Sequence, residues 1–348
     1  MSLGRSMREA AEGRRRRGVG CGQLVLSAAF GLFGVVGLAL GVVVGWVHVD
    51  ATLRERDSAE IVAPGSRVHA HDVDLYVSHW GPRGGRPVVL IHGSGAWGGA
   101  WEPVARVLAD AGYHVIAPDL PPFGFSERPA DATYDAPSQA ARITGLLQTL
   151  DLQDVALVGH SFGGGPTVEA AARAEGRVTQ LVLIDAALGL PPRDDAPRPV
   201  ASVWVRAGAA VPFVRHTLVA ATLSNPAFMP TGLRAMVHDP TTVTDDWIAR
   251  YRRPLTVRRT SREVGRWVPS LLTPGPSPSS DPATYRALAV PTLVVWGSDD
   301  EATPLAQGER VTALLPDAEL VVLAGVGHIP QIEDPEGLDS SLLDFLAR

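Results

Sequence analysis

The stretch Val155-Ala156-Leu157-Val158-Gly159-His160-Ser161-Phe162-Gly163-Gly164 decides how the rest of this 348-residue chain reads. Its first four residues form a short apolar run that reads as a buried strand. Thr167–Arg173, a little further on, is alanine-rich and helical in tendency. Between them lies Gly-x-Ser-x-Gly. A strand, a sharp turn and a helix in that order form a nucleophile elbow, which strains the serine backbone and lifts its hydroxyl clear of the sheet edge. Gly159 and Gly163 are expected where strand and helix nearly touch. The helix N-terminus then offers backbone N–H groups to a developing negative charge.

Outward from the elbow, strands and helices alternate. Arg67–His71 and Leu75–Trp80 read as a hairpin. Pro87–Ile91, Tyr113–Ala117 and Val178–Ile184 are apolar strands, and residues 136–150 are helical. Continuous apolar strands alternating with helices imply a mostly parallel sheet covered on both faces. The alternation stops near Leu188, where Pro191, Pro192, Pro197 and Pro199 mark a hinge. It resumes after a second proline-rich stretch from Pro269 to Pro282, with strands at Thr292–Trp296 and Glu319–Leu323 and helices at Leu305–Leu315 and Leu338–Ala347. The segment between, 188–288, is helical and carries Trp204, Phe213, Phe228, Met229, Met236, Trp247 and Trp267. It reads as an inserted lid between a first core part, 66–187, and a second, 289–348, with a ligand pocket beneath it. Its removal is expected to change substrate preference more than the reactivity of Ser161. Its arginines at 250, 252, 253, 258, 259, 262 and 266 read as a solvated helix face or as a contact for anionic lipid or an acidic substrate.

The net charge of −6 is unevenly spread. Residues 1–22 form a basic tail with Arg14–Arg17, so the acidic excess lies in the body, which argues against a nucleic-acid partner. Cys21 is the single cysteine, so no internal disulfide and no thiolate metal site can form. Leu24–Val47 carries no charged residue and is long enough for a membrane-spanning helix, expected over 23–47 and followed by a linker at 48–65. The arginines ahead of it predict a single-pass protein with a cytoplasmic N-terminus and an extracytoplasmic body. Gly37, Gly41 and Gly45 recur every four residues, which reads either as a chance repeat in a chain with 36 glycines or as a helix face that would allow pairing into a homodimer within the membrane.

A serine hydroxyl needs a base, and the base needs an orienting carboxylate. Downstream, Trp296-Gly297-Ser298-Asp299-Asp300 and Gly325-Val326-Gly327-His328 each follow a strand and leave the same sheet edge as the elbow. With His92-Gly93-Ser94-Gly95 and Asp119–Ser126, these landmarks resemble the α/β-hydrolase fold superfamily in its lid-bearing branch, over about 66–348. The resemblance implies an α/β fold with a serine nucleophile at Ser161, a base at His328 and an acid at Asp300, with Asp299 and Asp185 as rivals. It also implies an oxyanion hole from the backbone N–H groups of Ser94 and Phe162, and no cofactor or metal. His92, His160 and Asp119 are expected to be structural.

Serine at 161 sets the chain apart from the dehalogenase and epoxide hydrolase branches, which carry aspartate there. The loop after His92 lacks the Gly-Gly-Gly-Pro-Gly of carbon–carbon bond hydrolases, and Ile329 follows His328 where those often carry tryptophan. The expectation is therefore a membrane-anchored, esterase- or lipase-like enzyme for a small apolar ester. Carbon–carbon hydrolysis, perhydrolysis on the same triad and a non-catalytic ligand receptor remain open.

Overall fold

The computed structural model describes residues 38–56, 65–174, 176–191, 193–194 and 200–348. The chain divides into residues 1–52 and 53–348. The larger unit is built on one eight-stranded sheet in the order β1-β2-β4-β3-β5-β6-β7-β8. These strands are β1 Ser66–Ala70, β2 Val73–Trp80, β3 Pro87–Ile91, β4 His114–Pro118, β5 Val155–His160, β6 Val178–Ile184, β7 Thr292–Gly297 and β8 Ala318–Leu323. β2 pairs antiparallel with β1 and β4, and the other pairings are parallel.

The two faces follow from the period of two along each strand. Val88, Leu90, Val158, Ile184 and Val295 point to one face and pack against α1 (Glu102–Asp110) and α12 (Pro335–Leu346). Val89, Ile91 and Leu157 point to the other, against α2 (Ala136–Thr149) and α3 (Gly164–Arg173). Further along that face, Leu183, Val294 and Trp296 meet α10 (Leu305–Leu314). Strands buried on both faces must be apolar throughout, which is why their sequence shows no alternation.

Between β6 and β7 lie the helices α4 Val203–Ala210, α5 Pro212–Ala221, α6 Met229–Arg234, α7 Asp245–Arg252, α8 Thr260–Leu272 and α9 Pro282–Ala287. The two ends of this insertion belong to the sheet's own core: Leu188, Leu190, Tyr285 and Leu288 are buried with Leu183 and Trp296. Its middle packs over the sheet edge, with Leu233, Val237, Ile248 and Tyr251 against Ala96, Ala100, Ile329 and Ile332. Glu55 fastens the chain ahead of β1 to the start of α8, accepting from the N–H groups of Arg259 and Ser261 at 2.7 and 2.8 Å.

The loop after β4 is held by Asp119, fully buried, whose Oδ1 and Oδ2 accept the N–H groups of Gly98 and Phe125, each at 2.7 Å. Asp119→Ala would leave both donors unpaired in the interior, an expected loss of about 2–5 kcal/mol of unfolding free energy. Urea denaturation checks this, and a loss below about 1 kcal/mol would mean that water reaches these groups.

The membrane span expected over 23–47 requires correction. Residues 1–37 lie outside the described residues. The described helix runs over 38–54, roughly 26 Å at 1.5 Å per residue, and its last turns carry His48, Asp50 and Arg54. Among the described residues no helix is long and apolar enough to cross a membrane. The single-pass topology, with its cytoplasmic N-terminus and extracytoplasmic body, falls with the span. An apolar run shows only that a helix would tolerate lipid; here it leads into a helix end that is polar. The predicted homodimer through Gly37, Gly41 and Gly45 assumed a helix in lipid and loses that ground. Gly37 lies outside the described residues, and a Cβ at Gly41 or Gly45 would meet nothing within 4 Å.

Candidate active site

Ser161 stands where β5 ends and α3 is about to begin, in a short 3-10 turn over Ser161–Gly163. Its φ is +50°, in the left-handed region that a β-carbon disfavours, so the turn is strained as the elbow motif requires. The close approach around it is visible at Gly163, where a Cβ would stand 2.8 Å from the His92 carbonyl oxygen and 2.7 Å from an Ile91 methyl. Ser161 O accepts the Ala187 N–H at 2.8 Å, which ties the elbow to the end of β6.

The Ser161 hydroxyl lies 2.7 Å from His328 Nε2, and His328 Nδ1 lies 2.8 Å from Asp300 Oδ2. All three side chains are buried. Asp300 Oδ1 also accepts the N–H groups of Ala302 and Thr303 at 2.7 and 2.9 Å, and Oδ2 faces the Thr303 hydroxyl at 2.6 Å. Burial works to raise the Asp300 carboxyl, but the hydrogen bond and charge of His328 and the donors of Thr303 outweigh it and hold the group below the ordinary carboxylate range. An ionised Asp300 fixes the proton of His328 on Nδ1 and leaves Nε2 free to accept from the Ser161 hydroxyl.

Asp299, the neighbouring rival, is turned away: Ser298 Oγ donates to it at 2.6 Å and its side chain is half exposed. Asp185 is buried near Asp300, where its Oδ1 accepts the Gly297 N–H at 2.9 Å. His92 bridges two loops, with Nδ1 donating to Gly93 O and Nε2 accepting from the Leu120 N–H, each at 2.8 Å. Burial pushes it down to about 4, so it is neutral and serves as a spacer. His160 is pushed down to about 3, again by burial, and its Nε2 donates to the His328 carbonyl at 2.8 Å.

Ser94 lies in the turn after β3. At the preceding residue, Gly93, a Cβ would stand 3.0 Å from the Ser161 Cβ, so this turn abuts the elbow. Phe162 packs edge-on against Phe123 and Trp267, with ring centroids 5.6 Å apart in each case, and Phe123 and Trp267 meet at 5.0 Å. Trp267 comes from α8, so the insertion supplies one wall of an aromatic enclosure beside the serine.

Sequence reading missed the supports of the His328 turn. Glu333 Oε1 accepts the N–H groups of His238 and Asp239 at 2.7 and 3.0 Å, and its Oε2 accepts that of Gly327 at 2.8 Å. The His328 N–H itself donates to Met236 O at 2.9 Å. All four are contacts to backbone groups, three of them across about ninety residues, and no motif marks them. The arginine run is tied down for the most part. Arg250 reaches Gly99 O and Glu102, Arg252 reaches Pro226 O, Arg259 pairs with Glu263, and Arg266 bonds Glu263, Ala130 O and Ala132 O. Glu263 is fully buried and accepts from the Tyr134 hydroxyl as well. No group of three or more possible metal ligands occurs among the described residues.

Comparison with known proteins bears on the family and the fold. The chain is 33% identical over 303 residues to a 2-hydroxymuconate semialdehyde hydrolase of a Pseudomonas strain, an alignment covering 83% of this chain and 93% of the relative. Among solved structures, a meta-cleavage product hydrolase from Pseudomonas fluorescens matches with a TM-score of 0.63 and 27% identity, over 81% of this chain and 97% of that one. An esterase from Exiguobacterium antarcticum matches with a TM-score of 0.66 over 82% of this chain and all of that one, but at 23% identity it speaks for the fold alone. The model of the alpha/beta hydrolase fold matches residues 86–335, which reach from the strand before His92 to the helix after His328, and the chain is therefore a hydrolase that belongs to that family.

Proposed function

We propose that this chain is a serine hydrolase that cleaves a carboxyl ester through an acyl-enzyme. The observation that carries the reading is the unbroken run from Ser161 Oγ through His328 to Asp300, with heavy-atom distances of 2.7 and 2.8 Å. Ser161 Oγ attacks the ester carbonyl carbon while its proton passes to His328 Nε2. The carbonyl oxygen becomes an oxyanion facing the backbone N–H groups of Ser94 and Phe162. His328 returns the proton to the departing alkoxide, which leaves as the alcohol. Water then gives a proton to His328 and its oxygen to the acyl carbon, and the acid is released as Ser161 regains its proton. Asp300 stays ionised throughout and stabilises the imidazolium. Substrate and water are the only other reactants.

The enclosure supports an apolar group on the substrate. Phe123, Phe162 and Trp267 meet beside the elbow, while Arg250, Arg259 and Arg266 of the insertion are held by carboxylates and carbonyls. An acidic substrate would need a cation that these do not offer.

The relatives favour a second reading, hydrolysis of a carbon–carbon bond in a dienoate of the kind that a 2-hydroxymuconate semialdehyde hydrolase is named for. The 33% identity speaks for it, and the two motif departures, at the loop after His92 and at Ile329, speak against it. One experiment separates the readings: labelling by a fluorophosphonate, then turnover of p-nitrophenyl esters of rising chain length beside a meta-cleavage dienoate. Labelling at Ser161 with ester turnover exceeding dienoate turnover is expected. Dienoate turnover with inert esters would replace the ester reading by the second.

A further inference from the structure

Asp185 directly follows β6, which lies between β5 and β7 in the sheet. Its side chain meets the end of β7, the strand that leads to Asp300, at the Gly297 N–H. The backbone there is fixed from three directions. Its φ is +41°, its N–H donates to Val295 O at 3.1 Å, and its carbonyl oxygen lies 3.0 Å from the Thr303 hydroxyl oxygen. The side chain is 0% exposed. Oδ1 has the Gly297 N–H, but among the described residues no donor reaches Oδ2. The Asp300 carboxylate is within hydrogen-bonding reach, and the charge of Glu333 also acts on the Asp185 carboxyl. An ionised Asp185 would be a buried anion with one donor and two anionic neighbours, an arrangement the interior does not sustain. The neutral acid resolves both problems, since its O–H becomes a donor and Asp300 is an acceptor.

We propose that Asp185 is a positioning residue of the triad, kept as the neutral acid and donating from Oδ2 to the Asp300 carboxylate. The inference rests on the serine-hydrolase reading of Ser161, His328 and Asp300. The bond holds the Asp300 carboxylate and disperses part of its charge. The two carboxyls are pushed apart accordingly. Burial raises Asp185 well above the ordinary carboxylate range, with the charge of Asp300 adding to it, whereas Asp300 is held low. The Gly297 N–H to Oδ1 bond places the acid against the turn that runs on to Asp300. The charged groups that act on Asp185 are Asp300 and Glu333, and His328 is bonded to Asp300.

The test uses the whole chain and three readouts. Infrared difference spectra of the parent protein against Asp185→Asn at neutral pH should show a protonated-carboxyl stretch that the variant lacks. Taking the difference against this variant is needed because burial pushes Asp119 up to about 7 as well. Absence of that band overturns the proposal, whether or not the protein turns over an ester. Asparagine tolerates the left-handed backbone and still presents an N–H donor, so Asp185→Asn should keep kcat within about threefold and leave the acid limb of kcat/KM in place. A move of that limb to lower pH would mean that a negative charge had been removed beside His328, and would overturn the proposal. Asp185→Gly suits φ +41° and removes the donor; kcat should fall about tenfold or more, with the acid limb moved to higher pH as the Asp300 charge is no longer shared. An Asp185→Gly variant with the parent's rate and limb would also overturn it. Failure of the underlying reading looks different: Ser161 would take no phosphonate while the infrared band remained.

Discussion

Ser161→Ala and His328→Ala are each expected to lower kcat for an ester by a factor on the order of 10⁶, and combining them should cost little more. The reason is geometric. Ser161 Oγ and His328 Nε2 share one proton across 2.7 Å, so neither group works without the other. Asp300→Asn should cost about 10⁴. The amide can still occupy the pocket that Ala302 and Thr303 line with their N–H groups, but it no longer compels His328 to carry its proton on Nδ1. Steady-state kinetics on a p-nitrophenyl ester checks all three, with circular dichroism to show that each variant folds. Asp300→Asn at full activity would remove Asp300 from the acid's role. A dead Asp185→Asn beside it would move that role to the end of β6 and end the positioning proposal as well.

What the sequence revealed depended on how local the signal was. Pro87–Ile91 and Val178–Ile184 are strands over those same residues in the structure, because Pro87–Ile91 and Leu181–Ile184 are continuous apolar runs that a doubly covered sheet can hold. That Ser161, Asp300 and His328 would meet was legible because each follows a strand in a short, recognisable turn, and parallel strands deliver such turns to one edge. Glu333 was not legible. Its role is set by three backbone N–H groups, two of them from the distant insertion, and a glutamate at a helix end carries no mark of that. Asp185 was legible as an acid after a strand, but burial and the reach of Asp300 decide its protonation, and neither is written in the local residues. The apolar run before Val47 misled for the opposite reason: composition was strong, while the polar end of the described helix lay just beyond it.

Excising the middle of the insertion, about 200–273, is expected to lower both ester turnover and phosphonate labelling of Ser161 by at least about a hundredfold, even in a soluble, folded product. This reverses the expectation from sequence, in which an insertion over the pocket shapes specificity and leaves the serine reactive. The difference lies in what holds His328. Its N–H donates to Met236 O, and Glu333 joins Gly327 to His238 and Asp239. Ile329 and Ile332, on either side of that turn's exit, are buried against Leu233, Val237 and Ile248 of the insertion. Without the insertion the His328 N–H loses its acceptor and the two isoleucines meet water, so the imidazole has no fixed position relative to Ser161. A displacement of an ångström there is enough for a loss of that size. The excision should stop short of Ser279, Tyr285 and Leu288, because Ser279 bonds the buried Glu169 and the other two pack under the sheet. Trp267→Ala provides the contrast. It opens one wall of the enclosure without touching the His328 turn, so it should shift the preferred ester chain length and leave phosphonate labelling close to the parent rate. A folded excision variant that labels at the parent rate would show that the His328 turn stands on the sheet alone, with the insertion acting only on the substrate.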